Sequence, residues 1–355
     1  MSSTSSICRV FSFSVGLACL TACGGGGITT STGGGGVPSA PSVYVIQNSA
    51  TFGSGTPMIL KFSATASGSV SPTATISGPT NTAFNALSID GAGNIYTSYY
   101  GPKDAGGVLE YAAGATGTVS PVRTILANAT TGVTAVDGLA TNAAGEIFVG
   151  EDYGGVQAFS AAAAGSIAPS RWILGAYETG GGLSTIGVAN SVAVDSLNNL
   201  YVVNEGYIGG QPILVFGPSA TGNAAPFYTI GGPLTGMSVG GANSVTTDSL
   251  GNLYVTAGSA SGGVILEFSA GAKGNVAPVR TISGPSTLLH ALSGIKVDSD
   301  GAIFVVSTTT QQSGMNISPT ILKFSPTASG DVAPVSTFTS TAWTNPDNAR
   351  SLAVY

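Results

Sequence analysis

Few side chains in this sequence could do chemistry, and their spacing says more than their number. The single histidine, His290, stands in Leu288-Leu289-His290-Ala291-Leu292. As a general base it would need a carboxylate such as Asp137 or Asp347 to orient the ring, and a lone capping or surface histidine is the plainer reading. One histidine also excludes a multi-histidine metal centre. Four aspartates, Asp90, Asp195, Asp248 and Asp298, each close an apolar run and open a tight turn, with Asn142 in the equivalent place of one more run. An acid there bonds backbone N–H groups two residues on, so turn capping accounts for it. Only Asp298 and Asp300 approach a calcium loop, and no glutamate follows at the twelfth position. A second polar set stands just before the same runs: Asn85, Asp137, Asn190, Asn243, Ser293 and Arg350. Glycine-rich stretches such as Gly180-Gly181-Gly182 lack the strand and helix that make a phosphate cradle. No catalytic residue is assigned.

The elements that must position these residues come from a repeat. An apolar strand ending in an aromatic ring recurs six times, closing at Phe62, Tyr111, Phe159, Phe216, Phe268 and Phe324, with spacings of 49, 48, 57, 52 and 56 residues. After each comes a glycine and, four residues on, a proline: Gly68/Pro72, Gly117/Pro121, Gly165/Pro169, Gly222/Pro226, Gly274/Pro278 and Gly330/Pro334. A short strand such as Arg280-Thr281-Ile282 follows, then a run such as Ser191-Val192-Ala193-Val194-Asp195, a tight turn, and Asn199-Leu200-Tyr201-Val202-Val203. Each unit reads as four short strands rich in β-branched and aromatic residues, and no helical periodicity follows the first 23 residues. Four antiparallel strands repeated about every 50 residues predict an all-β fold, a β-propeller.

The motif Val-Ala-Val-Asp-Ser-Leu-Asn-Asn-Leu-Tyr-Val-Val-Asn, residues 192–204, resembles the NHL-type repeat, and the likeness extends over residues 43–355 without the His and Leu that name that family. The resemblance implies blades with the Val-Ala-Val-Asp strand innermost, at 86–90, 138–142, 191–195, 244–248 and 294–298. A sixth such strand, 351–355, ends the chain without partners, while 42–46, 59–62 and 73–76 open it as three strands lacking an inner one. Pairing 351–355 with 43–47 predicts a sixth blade and a closed ring, which leaves no free sheet edge.

In that arrangement Asn85, Asp137, Asn190, Asn243, Ser293 and Arg350 ring one mouth of the central channel. The set is similar to that of gluconolactonase-type propellers, and the resemblance implies a divalent cation held by Asp137, Asn190 and Asn243, although no matching glutamate is located. No cofactor is required otherwise. The loops expected at the same mouth carry rings beside polar groups, including Tyr99, Tyr100, Tyr153 and Tyr207. Such rings suit glycan or peptide recognition, because they stack on apolar faces while polar groups fix orientation.

Composition narrows the partners. Only 7% of the 355 residues are charged, against roughly 25% in ordinary soluble proteins. With a net charge of −6 there is no basic surface for nucleic acid. Residues 1–22 read as an export signal, with Arg9 ahead of an apolar stretch too short to span a bilayer. The sequence Leu20-Thr21-Ala22-Cys23-Gly24 resembles the lipobox of bacterial lipoproteins, which implies acylation of Cys23 and membrane attachment. Cleavage there removes Cys8 and Cys19, so the mature chain keeps one cysteine and no disulfide. Residues 23–42, with two runs of four glycines, form a flexible tether. The expected product is an exported protein, anchored at the outer membrane or cell surface. Its propeller binds a glycan, peptide or protein without catalysis. A metal-dependent lactonase-like hydrolase and a purely structural envelope protein are the alternatives.

Overall fold

The computed structural model describes residues 41–49, 55–102, 106–152, 155–176, 185–205, 212–237, 241–259, 262–309, 319–343 and 351–355. Cys23, Tyr153, Tyr207 and Arg350, the signal segment and the tether as far as residue 40 lie outside the described residues. Six antiparallel sheets of four main strands form a six-bladed β-propeller. From the axis outward, the first blade is Ala83–Ile89, Ile95–Tyr100, Gly106–Tyr111 and Arg123–Leu126. The inner strands of the next four are Val136–Thr141, Val188–Val194, Ala242–Thr247 and Ala291–Val297. The sixth blade is composite, ordered Leu352–Val354, Ser42–Gln47, Met58–Ser63 and Ala74–Ser77. Its closing pair sets Val43 opposite Val354 and Val45 opposite Leu352. Two flanking bonds extend it, Ser42 N to Tyr355 O at 2.7 Å and the return at 3.0 Å. The expected closure is found, shorter at its ends than 351–355.

A four-stranded sheet cannot bury both faces alone, so the core lies in the seams between blades. The recurrent aromatic supplies one ring to each seam. Tyr111 of the first blade packs with Ile46 and Ile59 of the sixth, and Phe159 of the second with Tyr96, Val108 and Ile125 of the first. Phe216, Phe268, Phe324 and Phe62 repeat this in the other four seams. The recurrent glycine does a different job. Gly68, Gly117, Gly165, Gly222, Gly274 and Gly330 all have φ between 62° and 75°. Each forms a parallel bridge to the outermost strand of the preceding blade, from Gly117 against Ile76 round to Gly68 against Phe338. The left-handed turn aims its N–H and C=O backward, as in Gly222 N to Trp172 O at 2.6 Å and Leu174 N to Gly222 O at 2.9 Å. Six such staples tie the ring together.

Cations reinforce the seams. Arg123 pairs with Glu110 within its blade and donates to the carbonyls of Ala161 and Ala163 in the next. Arg280 does the same with Glu267 and Pro326 O, and Arg171 with Glu146 and Pro218 O. Lys323 lies over Phe304 and donates to Ala64 O. Two departures from expectation concern backbone detail. Short 3₁₀ turns occur at Pro233–Thr235 and Pro285–Thr287, where the threonine hydroxyl donates back to the carbonyl of Gly232 or Gly284. The five complete inner strands also begin two or three residues before the expected 86, 138, 191, 244 and 294.

Candidate functional site

The early start of the inner strands changes what the rim residues are. Asn190 lies inside its strand, and the register passes from Ala189 opposite Asn204 to Ser191 opposite Val203, leaving Asn190 as an extra residue. Asn243 and Ser293 are extra in the same way, between Ala242 and Ser244 and between Leu292 and Gly294. Asp137 stands between Val136 and Gly138, which face the consecutive residues Glu151 and Gly150, and Asn85 falls with Ala86 opposite Ser98 alone. All five are β-bulge residues rather than loop residues preceding the strand. A bulge bends the strand and re-aims the side chain it frees. Hydroxyls cap the freed backbone: Ser98 Oγ accepts from Ala86 N at 2.9 Å, and Thr256 Oγ1 from Ser244 N at 3.1 Å.

The five bulge residues converge. Asn85, Asp137, Asn190, Asn243 and Ser293 all line one cavity of about 300 Å³, walled lower down by Leu87, Leu139, Val192, Val245 and Ile295. Their amides are not equally committed. Asn85 Nδ2 donates to Val136 O at 3.0 Å and to Asp137 Oδ1 at 2.8 Å. Asn243 Nδ2 reaches Leu292 O at 3.3 Å. These bonds link one blade to the next. Asn190 makes no side-chain hydrogen bond among the described residues, so its amide is free to meet a ligand.

Asp137 is not an ordinary carboxylate. Burial and a hydrogen bond to the Asp152 carboxyl, together with the charge of Asp152, push its pKa well above the carboxylate range, against the lowering pull of Asn85. The Asp137–Asp152 carboxyl pair therefore holds a proton more tightly than an isolated carboxylate does. Beside it, Glu151 is fully buried, and its Oε2 accepts from Thr134 N at 2.9 Å, Thr134 Oγ1 at 2.7 Å and Ala135 N at 2.8 Å. Glu151 therefore pins the segment leading to Asp137 instead of facing the mouth. Its Oε1 is buried without a hydrogen-bond partner, and burial raises its pKa.

The remaining expected residues separate. Tyr100 donates its hydroxyl to Val136 O at 3.2 Å, the same carbonyl that Asn85 holds, which brings it to the rim in a bracing role. Tyr99 is half-buried against the seam of the sixth and first blades, where burial raises its phenol pKa. His290 is exposed, and its backbone N–H donates to Ser307 Oγ at 3.0 Å. Among the described residues, no three His, Cys, Asp or Glu side chains group so as to hold a metal ion. Asp137, Asn190 and Asn243 do share the cavity, with Asp137 bonded to Asn85 and Asp152. The strand-end acids cap turns as expected. Asp248 Oδ1 accepts from Leu250 N at 2.9 Å and Asn252 N at 2.8 Å, and Asp195 repeats the pattern with Leu197 and Asn199.

Sequence reasoning passed over Lys296. It lines the mouth cavity and a second cavity of about 200 Å³ further along the same inner strands, bounded by Ser88, Thr141, Val194, Thr247 and Val354. Its signal was an interruption: the repeat places Ser88, Ala140, Ala193, Thr246 and Ala353 where this strand has a lysine. The chain resembles solved structures at the level of architecture. A Bacteroides caccae protein of unknown function is 11% identical, with 89% of this chain and 99% of that one covered and a TM-score of 0.56. The WD40 propeller domain of Doa1 gives 10% identity, coverage of 81% and 83%, and 0.46. The WD40 domain of Toxoplasma gondii coronin gives 12%, 84% and 74%, and 0.48. The likeness shows the fold alone. No protein-family model and no curated protein matches the chain.

Proposed function

We propose that this chain is an exported, lipid-anchored protein whose propeller is a non-catalytic binding module for a polar ligand, a glycan or a peptide. One observation carries the reading: five residues from five blades, each freed from strand pairing by a bulge, line a single cavity on the propeller axis. Asn85 and Asn243 also link neighbouring blades, whereas the Asn190 side chain makes no hydrogen bond among the described residues and has no such structural task. A carboxyl at Asp137 with raised proton affinity, an uncommitted amide at Asn190 and apolar side chains below them offer polar partners and a surface for a sugar or peptide face. The lipobox at Cys23 and the glycine-rich tether support display at the envelope, the tether reaching roughly 25 Å as a random coil of about 19 residues. A single histidine and a charged fraction of 7% favour binding over turnover.

Glycan and peptide arrays probed with the chain test the reading, compared with the Asn190→Ala variant. The variant should bind its array hits at least tenfold more weakly at an unchanged melting temperature, because the Asn190 side chain makes no hydrogen bond among the described residues. Hits bound equally by both forms would move the site away from the mouth. Radiolabelled palmitate should mark the parent and leave Cys23→Ser unlabelled. Persistent labelling of that variant would refute the anchor.

A further inference from the structure

The channel holds a charge that mouth binding does not use. Lys296 follows the Ser293 bulge by three residues, which sets it about 10 Å below the rim at the ordinary strand rise. It is the one long polar side chain at that level, since the other five blades place Ser88, Ala140, Ala193, Thr246 and Ala353 there. Among the described residues lining the two cavities, Asp137 and Lys296 are the titratable ones, and Asp137 is bonded to Asn85 and Asp152. Lys296 has no hydrogen bond or ion pair among the described residues. This contrasts with Arg123, Arg171, Arg280 and Lys323, which all clamp a seam.

Lys296 is half-buried in the channel without a counter-ion among the described residues, and burial lowers its pKa to about 8. It still carries most of its charge at neutral pH. Apolar or small residues would fill this level more stably, as they do in the other blades. Around the second cavity the hydroxyls of Thr141 and Thr247 donate to the carbonyls of Ile89 and Val194, and Ser88 pairs with Thr141, so Lys296 is the cationic donor at this level. We propose that Lys296 anchors the carboxylate of a small organic acid that enters through the mouth and rests its body among the bulge residues. The proposal rests on the reading of the mouth as a ligand entrance and names the ligand's charged end. A single ammonium matches one negative charge. The 300 Å³ of partly apolar space above it leaves room for an organic body that an inorganic anion would not fill.

The five lysines of the sequence give a simple spectrum when their Cε atoms carry ¹³C, and loss of one signal in Lys296→Met assigns it. The full chain is titrated with acetate, pyruvate and benzoate, with acetamide and benzamide as neutral matches, and with chloride and phosphate. The proposal expects the Lys296 signal to move saturably with the carboxylates and not with the amides. Benzoate or pyruvate should bind more tightly than chloride or phosphate, and Lys296→Met should weaken carboxylate binding measured by calorimetry at least tenfold. A Lys296 signal unmoved by carboxylates would overturn it. So would equal response to chloride and phosphate, which would leave an inorganic-anion site, or unchanged calorimetry in the variant. The signal of the parent protein decides even where the variant folds poorly. Array hits that bind Lys296→Met as they bind the parent, with no carboxylate response, would sink this inference and leave the mouth reading standing.

Discussion

Asp137 and Asp248 are the same residue type, one near the start of its inner strand and the other just past the end of its own, and their surroundings give them opposite roles. Asp248 accepts from two backbone N–H groups and the Asn252 amide in a tight turn. These are contacts two and four residues away, which is why the cap was legible in the sequence. Asp137 meets Asn85 across a seam and Asp152 from the neighbouring strand, partners that no local spacing reveals. The same holds for the rim amides, since Asn85 is tied to Val136 while Asn190 is not, and Lys296 was hidden because its neighbours come from five other blades. The raised pKa of Asp137 has a consequence for stability. The folded chain keeps a proton that the unfolded chain releases near pH 4. Stability from this group is therefore full below about pH 4 and falls as pH rises toward the folded pKa. Asp137→Asn should flatten that decline in urea melts taken between pH 4 and pH 8. A variant with the parent's slope would mean the proton sits elsewhere.

At the scale of strands and seams, the repeat spelled out most of what holds the ring. The aromatic closing each third strand was visible as a pattern, and the structure gives it a task, one fully buried ring per seam. Phe216→Ala should cost about 3–5 kcal/mol, the range for deleting a buried phenyl ring, read as the shift in a chemical-denaturation curve. A loss under about 1 kcal/mol would show that the seam repacks freely. The glycine four residues before proline was legible as a repeat but not as a staple, because its partner belongs to the preceding unit. Bulges were not legible at all. A bulge is a difference in count between two paired strands, and it appears only when the register of Ala189 and Ser191 against Asn204 and Val203 is known. That is why the rim residues read as loop residues and the inner strands as starting late.

The described propeller is a ring closed by its first and last strands, and this was readable because each carries what the other lacks. Three residues, Leu352–Val354, complete the sixth blade, with Leu352 and Ala353 buried in the seams on either side. Removing residues 351–355 exposes the inner edge of Ser42–Gln47 and empties part of two seams. The truncated chain should melt at a sharply lower temperature by circular dichroism and aggregate through the open edge. An intact melting temperature would contradict closure as the source of stability. Closure also makes function possible, because only a complete ring brings five separate bulges to one axis. That convergence is the centre of the account. A crystal structure of the chain grown with its tightest-binding array hit tests it most directly. The account predicts the ligand in the axial cavity, in contact with Asn190 and at least one bulge residue of another blade. A ligand bound on the outer strands, or at the channel's far end beyond Val194 and Val354, would contradict it.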